Sequence, residues 1–155
     1  MRLYRGIRFQ IPNEYGKFIA GILEPIDCVN FEWRVDFHTE IWKSVNGKLG
    51  EELFPDSVIK GADFFDLINS NTYYLIFANI QAYPEGSTSQ SRIHKYEDFI
   101  ASECQIIMLV ADSSYVDVYC KEPLLIEKMH ENAKSKGFES IKYIDENDSR
   151  TGIFV

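Results

Sequence analysis

The stretch 105–120 constrains the fold most, because it contains two strand-like segments separated by only three residues. The first, 105–111, is dominated by Ile, Met, Leu and Val, and in the second, 115–120, Tyr and Asp alternate with Val and Cys. Asp112-Ser113-Ser114 between them is typical of a tight turn, since short polar side chains hydrogen-bond to their own backbone. Two strands on so short a loop form a hairpin, so the sequence predicts an antiparallel sheet.

Periodicities elsewhere predict further strands and helices in mixed order. The clearest alternation is at 31–38, where Phe, Trp, Val and Phe alternate with Glu, Arg, Asp and His. Other predicted strands are 3–11, 73–83, 138–144 and 152–155. Helical spacing of apolar residues predicts helices at 15–23, from about Gly61, at about 94–101 and from Pro123 to a Gly137 cap. Strands both in hairpins and between helices predict an α+β fold, a mainly antiparallel sheet with helices packed on one face.

The length of the chain, 155 residues, is that of one domain. No internal repeat or linker divides it, and the one low-complexity stretch is Glu85–Ser91, which we expect to be a mobile loop. The sequence therefore predicts a single α+β domain over residues 1–155.

The net charge of the chain limits the classes of molecule that it is expected to bind. The chain has 16 Lys and Arg against 24 Asp and Glu, a formal net charge of −8, and the acidic residues are spread along it. No window clusters Lys and Arg densely enough to neutralise phosphates, so the sequence predicts no nucleic-acid binding. The same field would repel an anionic lipid surface and steer a basic protein toward this one. A basic protein is the partner class that we expect.

Nothing in the sequence predicts targeting to a membrane. Charge interrupts every apolar stretch of residues 1–8, so the core of a signal peptide is missing. The longest apolar run, Ile106–Ala111, is far shorter than a membrane span. Three cysteines, an odd number without Cys-x-x-Cys spacing, suit reduced thiols in a reducing compartment. The sequence therefore predicts a cytoplasmic protein.

Two of the cysteines, Cys104 and Cys120, flank the predicted hairpin, so they are expected close together across its ladder. Two interpretations are open: a redox pair, or two buried thiols that act as small apolar side chains. The second is favoured because no Cys-x-x-Cys turn stabilises a thiolate.

Asp36 and His38 are the first candidates for acid–base chemistry. They share one face of the strand predicted over 31–38, where a carboxylate and an imidazole can shift each other's pKa. A solvent-exposed polar sheet face explains the same pattern and is favoured. Asp112 is a further candidate, for a nucleophile or metal site, but turn chemistry also accounts for it and no Gly-x-Ser-x-Gly elbow surrounds the neighbouring serines.

No cofactor or metal is predicted. His38, His94 and His130 lack the spacing of a metal-binding helix, and His130 is expected on the exposed side of its helix. The loop 145–151 resembles the start of an EF-hand, yet Arg150 occupies its glycine position and the chain ends before a twelfth-position glutamate. No Gly-rich phosphate loop is present.

Tyr115, Asp117 and Tyr119 form the candidate binding face. They share one side of their strand, opposite the more apolar Val116 and Val118. An exposed patch of tyrosine and carboxylate is typical of a protein-binding site, since tyrosine offers contact area at low entropic cost. The alternative, equally weighted, is that these tyrosines lie under a helix with only their hydroxyl groups in water.

Four segments spanning nearly the whole chain carry a resemblance to a known family: RGIRFQIPNEYGKFI (5–19), YYLIFANIQAYP (73–84), ADSSYVDVYCKEPLLI (111–126) and NDSRTGIFV (147–155). They resemble an uncharacterised family of small proteins from spore-forming Gram-positive bacteria, a domain of unknown function. The resemblance implies a single compact intracellular bacterial domain. The family supplies no activity and no catalytic residues that could be carried over to this chain.

These observations favour a non-enzymatic intracellular protein-binding protein with an acidic docking surface, an immunity-type inhibitor of a toxin being the sharpest version. Two alternatives are open. One is a small hydrolase or transferase that uses Asp36 and His38, with Asp112 as a further group. The other is a structural homo-oligomer in which exposed aromatic side chains form the self-interface.

Overall fold

A computed structural model describes residues 3–88, 92–148, 150 and 152–155. Its strands are β1 (Gly6–Gln10), β2 (Phe31–Val35), β3 (Glu40–Val45), β4 (Lys48–Glu52), β5 (Val58–Lys60), β6 (Tyr73–Pro84), β7 (Ile106–Ala111), β8 (Tyr115–Cys120) and β9 (Glu139–Ile144). Its helices are α1 (Phe18–Ile22), α2 (Gly61–Ser70), α3 (Tyr96–Ala101) and α4 (Pro123–Ser135), with a 3-10 turn at Cys28–Asn30.

The nine strands form one antiparallel sheet in the order β4-β3-β6-β7-β8-β1-β9, with β2 against β6 and β5 against β2. Because β6 is 12 residues long, it pairs with β2 near its end and with β3 near its start. A turn at residues 36–39 separates β2 from β3. The predicted α+β class and the mainly antiparallel sheet are confirmed.

The hairpin of β7 and β8 forms as predicted, on the three-residue loop 112–114. Asp112 and Ser113 adopt φ values of 50° and 65°, as the central residues of a type I′ turn do, and the Ser114 N–H donates to the Ala111 carbonyl at 3.2 Å. Short polar side chains tolerate this left-handed conformation, which explains Asp-Ser at these positions.

The strands alternate between two faces of the sheet. On the first face, α1, α2 and α4 bury Ile19, Phe64 and Met129 in a large apolar core with Trp33 and Val118. On the second face, α3 buries Phe99 in a smaller core with Ile107, Tyr119 and Ile153. The prediction that the helices pack on one face is therefore wrong for α3. The apolar residues of this helix instead cover an apolar patch on the second face.

Two predicted elements differ at their ends. The helix predicted over 15–23 begins only at Phe18, because the backbone of Gly16 exchanges two hydrogen bonds of 3.0 Å with Tyr73 in β6. Residues 152–155 are not a strand. The Ile153 N–H donates to the His94 carbonyl at 2.8 Å, and the Ile153 side chain anchors the segment in the second core.

Part of the predicted mobile loop at Glu85–Ser91 lies outside the described residues, namely 89–91, as do two positions of the EF-hand-like loop, 149 and 151. In the described part of the chain, no helix is long and apolar enough to cross a bilayer.

Candidate functional site

A row of side chains crosses the second face of the sheet. In successive pairs of neighbouring strands, Asn79 lies beside Leu109, Leu109 beside Asp117, Asp117 beside Arg8, and Arg8 beside Lys142. Strand alternation directs these residues away from the first core. The row therefore brings charged groups from three distant parts of the sequence onto one surface.

Asp117 is the centre of an arginine–aspartate cluster made of Arg8, Asp117, Asp148 and Arg150. The residue is 4% exposed, and its carboxylate accepts hydrogen bonds from Arg8 Nε at 2.7 Å, Arg8 Nη2 at 2.9 Å and Arg150 Nη1 at 2.8 Å. Arg8 also donates from Nη1 and Nη2 to Asp148, at 2.9 and 2.8 Å. Charge-assisted pairs of this geometry satisfy a buried carboxylate.

The contacts between Arg8 and the aspartates shift the pKa of Arg8 and of Asp148. Hydrogen bonds to Asp117 and Asp148 raise the pKa of the Arg8 guanidinium above its ordinary value. The hydrogen bonds from Arg8 lower the pKa of the Asp148 carboxyl. Arg8 and Asp148 are thus held in their charged forms at neutral pH.

The predicted binding face is not an exposed patch. Tyr115 is 56% exposed, but Asp117 is 4% and Tyr119 only 3% exposed. Tyr119 packs under α3, with its ring centroid 6.5 Å from that of Phe99, and burial raises its pKa to about 12. The alternative of a tyrosine beneath a helix therefore describes Tyr119, whereas Tyr115 stays at the surface, and Asp117 is occupied by two arginines.

A cavity of about 440 Å³, the β8 cavity, opens beside the cluster. Its lining includes Arg8, Asp117 and Arg150 of the cluster together with Gln10, Tyr115 and Lys142. Its volume lies in the range of small-molecule pockets, roughly 300–1,000 Å³. Two of the three residues predicted for binding, Tyr115 and Asp117, thus line a concave site.

The structure brings Asp36 and His38 together, by a turn and not by a shared strand face. The strand β2 ends at Val35, and the Thr39 N–H donates to the Asp36 carbonyl at 2.9 Å. Asp36 Oδ1 accepts the His38 backbone N–H at 3.0 Å and lies 3.1 Å from His38 Nδ1.

His38 has a side chain that is 65% exposed and borders a second cavity of about 510 Å³, the β6 cavity. Asn79, Gln81 and His94 also line it. Asp112 is exposed in the hairpin turn and is not part of this lining. The three catalytic candidates are therefore not brought together.

Cys104 and Cys120 lie in the cores on opposite faces of the sheet, so the redox-pair interpretation is wrong. All three cysteines are free and buried. Burial raises the pKa of Cys28, Cys104 and Cys120 to about 12, which keeps each of them a thiol. The interpretation as buried apolar thiols is confirmed.

His130 is half-buried, contrary to the expected solvated imidazole. Its ring stacks on Tyr143 at 4.4 Å, and Tyr143 stacks on Tyr4 at 4.0 Å. The structure therefore uses this histidine as a flat packing surface at the end of the sheet. Within the described residues, no group of three or more His, Cys, Asp or Glu is placed to hold a metal ion.

An acidic surface, which the sequence did not reveal, lies at the side of the sheet formed by β2, β5 and α2. Two adjoining depressions of about 240 and 460 Å³ share Pro55 and Asp56. The carboxylates lining them, which define the acidic surface, are Asp36, Glu52, Asp56, Asp63 and Asp66. Lys60 is the one Lys or Arg in the linings, and no ion pair joins these five to a Lys or Arg among the described residues.

Phe37 stands at the edge of the acidic surface and is 85% exposed. It lies in the turn after β2. Its neighbour Asp36 lines both the 240 Å³ depression of the acidic surface and the β6 cavity. The alternation at 31–38 predicts that Phe37 lies on the same side of the strand as Phe31 and Trp33. That prediction is wrong because the strand stops two residues earlier.

The comparison with protein families and the comparison with individual proteins point to the same family. Residues 4–154 match the family described as "Protein of unknown function (DUF2691)". The chain is 42% identical over 154 residues to "Uncharacterized protein YncE" of Bacillus subtilis (strain 168), covering 97% of this chain and 99% of the relative. No solved structure matches significantly. On both the family match and the full-length identity, the chain belongs to the DUF2691 family.

Proposed function

We propose that this protein is a non-enzymatic protein-binding protein that docks a basic partner on the acidic surface. The supporting observation is Phe37, an aromatic side chain 85% exposed beside five carboxylates. Folding does not use this ring, and an exposed aromatic residue inside a strongly charged surface is the composition of an interaction site.

Charge supplies the attraction in this proposal. The five carboxylates face one Lys in their depressions, a local balance of −4 in a chain of net charge −8. Such a field accelerates encounter with a basic partner and repels acidic competitors. The attraction weakens as salt rises, because exposed charges are screened over about 8 Å at physiological ionic strength.

In this proposal Phe37 contributes binding affinity and fixes the position of the partner on the acidic surface. Burying a phenylalanine side chain in a partner's apolar pocket contributes roughly 1.5–3 kcal/mol. The Phe37 ring contacts the His38 ring, with centroids 3.9 Å apart and planes tilted by 35°, and both rings lie in the turn after β2. The partner is therefore a protein with a basic surface around one apolar pocket.

In its sharpest form the proposal is an immunity-type inhibitor, which covers the basic working surface of a toxin inside the cell. The small acidic domain supports this form. Three buried free thiols fit a reducing, cytoplasmic compartment. The charge balance alone requires only a basic protein.

Affinity capture at native expression from the host that encodes the chain tests the proposal, with three baits in parallel. The first is wild type, the second carries Glu52→Lys, Asp56→Lys and Asp63→Lys, and the third carries Glu127→Lys, Glu131→Lys and Glu139→Lys. All six positions are exposed and the two variants have equal net charge. The control glutamates lie on α4 and β9, away from the acidic surface.

We expect a stoichiometric basic protein on wild type and on the control, released by salt and absent from the acidic-surface variant. Equal retention by all three baits would place binding elsewhere. Equal loss from both variants would mean that net charge, and not this surface, attracts the partner.

A second candidate function rests on the Asp36–His38 contact of 3.1 Å at the border of the 510 Å³ β6 cavity. A carboxylate that orients an imidazole is the arrangement of a general base. Turnover of a panel of p-nitrophenyl esters and phosphodiesters by wild type and His38→Gln separates the two functions. The binding proposal predicts no His38-dependent turnover, whereas turnover lost in His38→Gln would favour the hydrolase.

A further inference from the structure

The β8 cavity carries a positive balance in an otherwise acidic protein. Three cationic side chains line it, Arg8, Lys142 and Arg150, against one side-chain carboxylate, Asp117. Adding Asp148, which holds Arg8 from outside the lining, leaves a side-chain charge of +1. A cavity with this balance attracts an anion of single charge.

The two arginines are committed to protein partners. Four N–H···O contacts join Arg8 to the two aspartates, and a guanidinium has five N–H groups. Arg150 donates from Nε to the Gly152 carbonyl at 2.9 Å, from Nη1 to Asp117, and from Nη2 to the Phe154 carbonyl. They build the wall of the cavity, and their two positive charges are paired with the two aspartates.

Lys142 is the cation that remains. It is exposed, and among the described residues its ammonium has no hydrogen-bond or ion-pair partner. A bulge in β9 directs it here: Gln10 pairs with Glu139, yet Arg8 pairs with Lys142, so one extra residue lies on β9. Without that bulge Ile141 would lie beside Arg8, since bulges redirect side chains across a sheet.

The rest of the lining is suited to an apolar body with a few polar contacts. Leu109, Ala111 and Val155 contribute aliphatic surface, and the 56% exposed Tyr115 offers a ring face at the rim. Gln10 adds an amide. A phosphate with more than one charge would meet only one cation without an ion-pair partner, Lys142, and an apolar wall. A single carboxylate on an aromatic or aliphatic body matches both the lysine and the wall.

We infer that the β8 cavity binds a small monocarboxylate with an apolar or aromatic body, with its carboxylate on Lys142 and its body against Tyr115 and Leu109. This site is separate from the acidic surface, so it stands whether or not the docking proposal does. It gives the protein a small-molecule ligand in addition to a protein partner.

Titration with 2-naphthoate, followed by amide chemical shifts, tests the inference on the full chain. A probe of this size binds in about the millimolar range, so the titration extends to about 10 mM. The neutral 2-naphthamide is the matched ligand control. Lys142→Gln is the variant, and Lys128→Gln, an exposed lysine on α4, is its control.

We expect shifts at residues lining the β8 cavity, and affinity for 2-naphthoate about fivefold weaker in Lys142→Gln and unchanged in Lys128→Gln. The amide should bind wild type about fivefold more weakly than the acid, and Lys142→Gln should not discriminate between them. Absence of binding, shifts outside the cavity, or equal binding of acid and amide to wild type would each overturn the inference.

Discussion

The two faces of the sheet are formed by the same strands but differ in the kind of side chain that they present. The first face carries the larger apolar core and is covered by three helices, whereas the second combines a small core, a partly buried charge cluster and the β8 and β6 cavities. In β8, for example, Val116 and Val118 face the first core while Tyr115 and Asp117 face the β8 cavity. Stability is concentrated on one side of the sheet, which leaves the other free to carry polar chemistry.

Phe64→Ala should give the largest loss of stability, since Phe64 is fully buried on the first face, stacked 4.1 Å from Trp33 and 5.4 Å from Phe54. We expect a loss of about 3–5 kcal/mol in the free energy of unfolding, measured by urea denaturation. The neighbouring Phe65→Ala, at a side chain 49% exposed, is the matched control and should cost under about 1 kcal/mol. Equal losses would contradict the assignment of α2 to the first core.

Asp117→Asn should give the next largest effect, because it leaves two guanidinium groups facing a neutral amide. Breaking a buried ion pair costs about 3–5 kcal/mol, and since the Arg8 and Arg150 side chains are 24% and 30% exposed we expect about 2 kcal/mol. Asp112→Asn in the exposed turn is the control, expected within about 0.5 kcal/mol. If Asp117→Asn were as mild as this control, the charge cluster would be dispensable to the second face.

Acidification should weaken the second face through Asp148. The folded pKa of Asp148 lies below its ordinary value because Arg8 donates to it, so the stabilisation is complete above the unfolded pKa, near 4, and is lost as pH falls through the folded pKa. Urea denaturation between about pH 2 and 6 should show a smaller pH dependence for Asp148→Asn than for wild type. An unchanged dependence would remove the Arg8–Asp148 contact from the account.

Tyr115→Ala should have the smallest effect on folding, since the side chain is 56% exposed at the rim of the β8 cavity. We expect a change within about 0.5 kcal/mol in the free energy of unfolding, together with weaker binding of 2-naphthoate. Tyr119→Ala, on the same face but buried under α3, should cost several times more. Should Tyr115→Ala destabilise as much as Tyr119→Ala, the rim would be part of the core.

Local patterns predicted the strands well because alternation and turn chemistry act between neighbours in the sequence. The β7–β8 hairpin is of this kind, with φ of 50° and 65° at Asp112 and Ser113 in its turn. The contact of Asp36 with His38 was also expected, although a turn makes it. The exposure of Phe37 was not, since nothing in the alternation marks where β2 stops.

Long-range pairings escaped prediction because they depend on strand order. Arg8 lies 109 residues from Asp117 and 140 from Asp148 in the chain, and only the placement of β1 between β8 and β9 brings them together. The acidic surface likewise gathers carboxylates from 36 to 66 through the packing of β5 and α2 beside β2. Arg8 does occupy a polar position in the alternation of β1, a signal that identifies its face but not its partner.

Photo-crosslinking in the host tests whether a basic partner docks on the acidic surface. A photoreactive phenylalanine analogue replaces Phe37 in one sample and Leu124, a side chain 54% exposed on α4, in the other. We expect a cross-link from position 37 to one basic protein, and none of that size from position 124. A cross-link from position 37 to a second copy of this chain, equal yields from both positions, or no adduct at position 37 would contradict it.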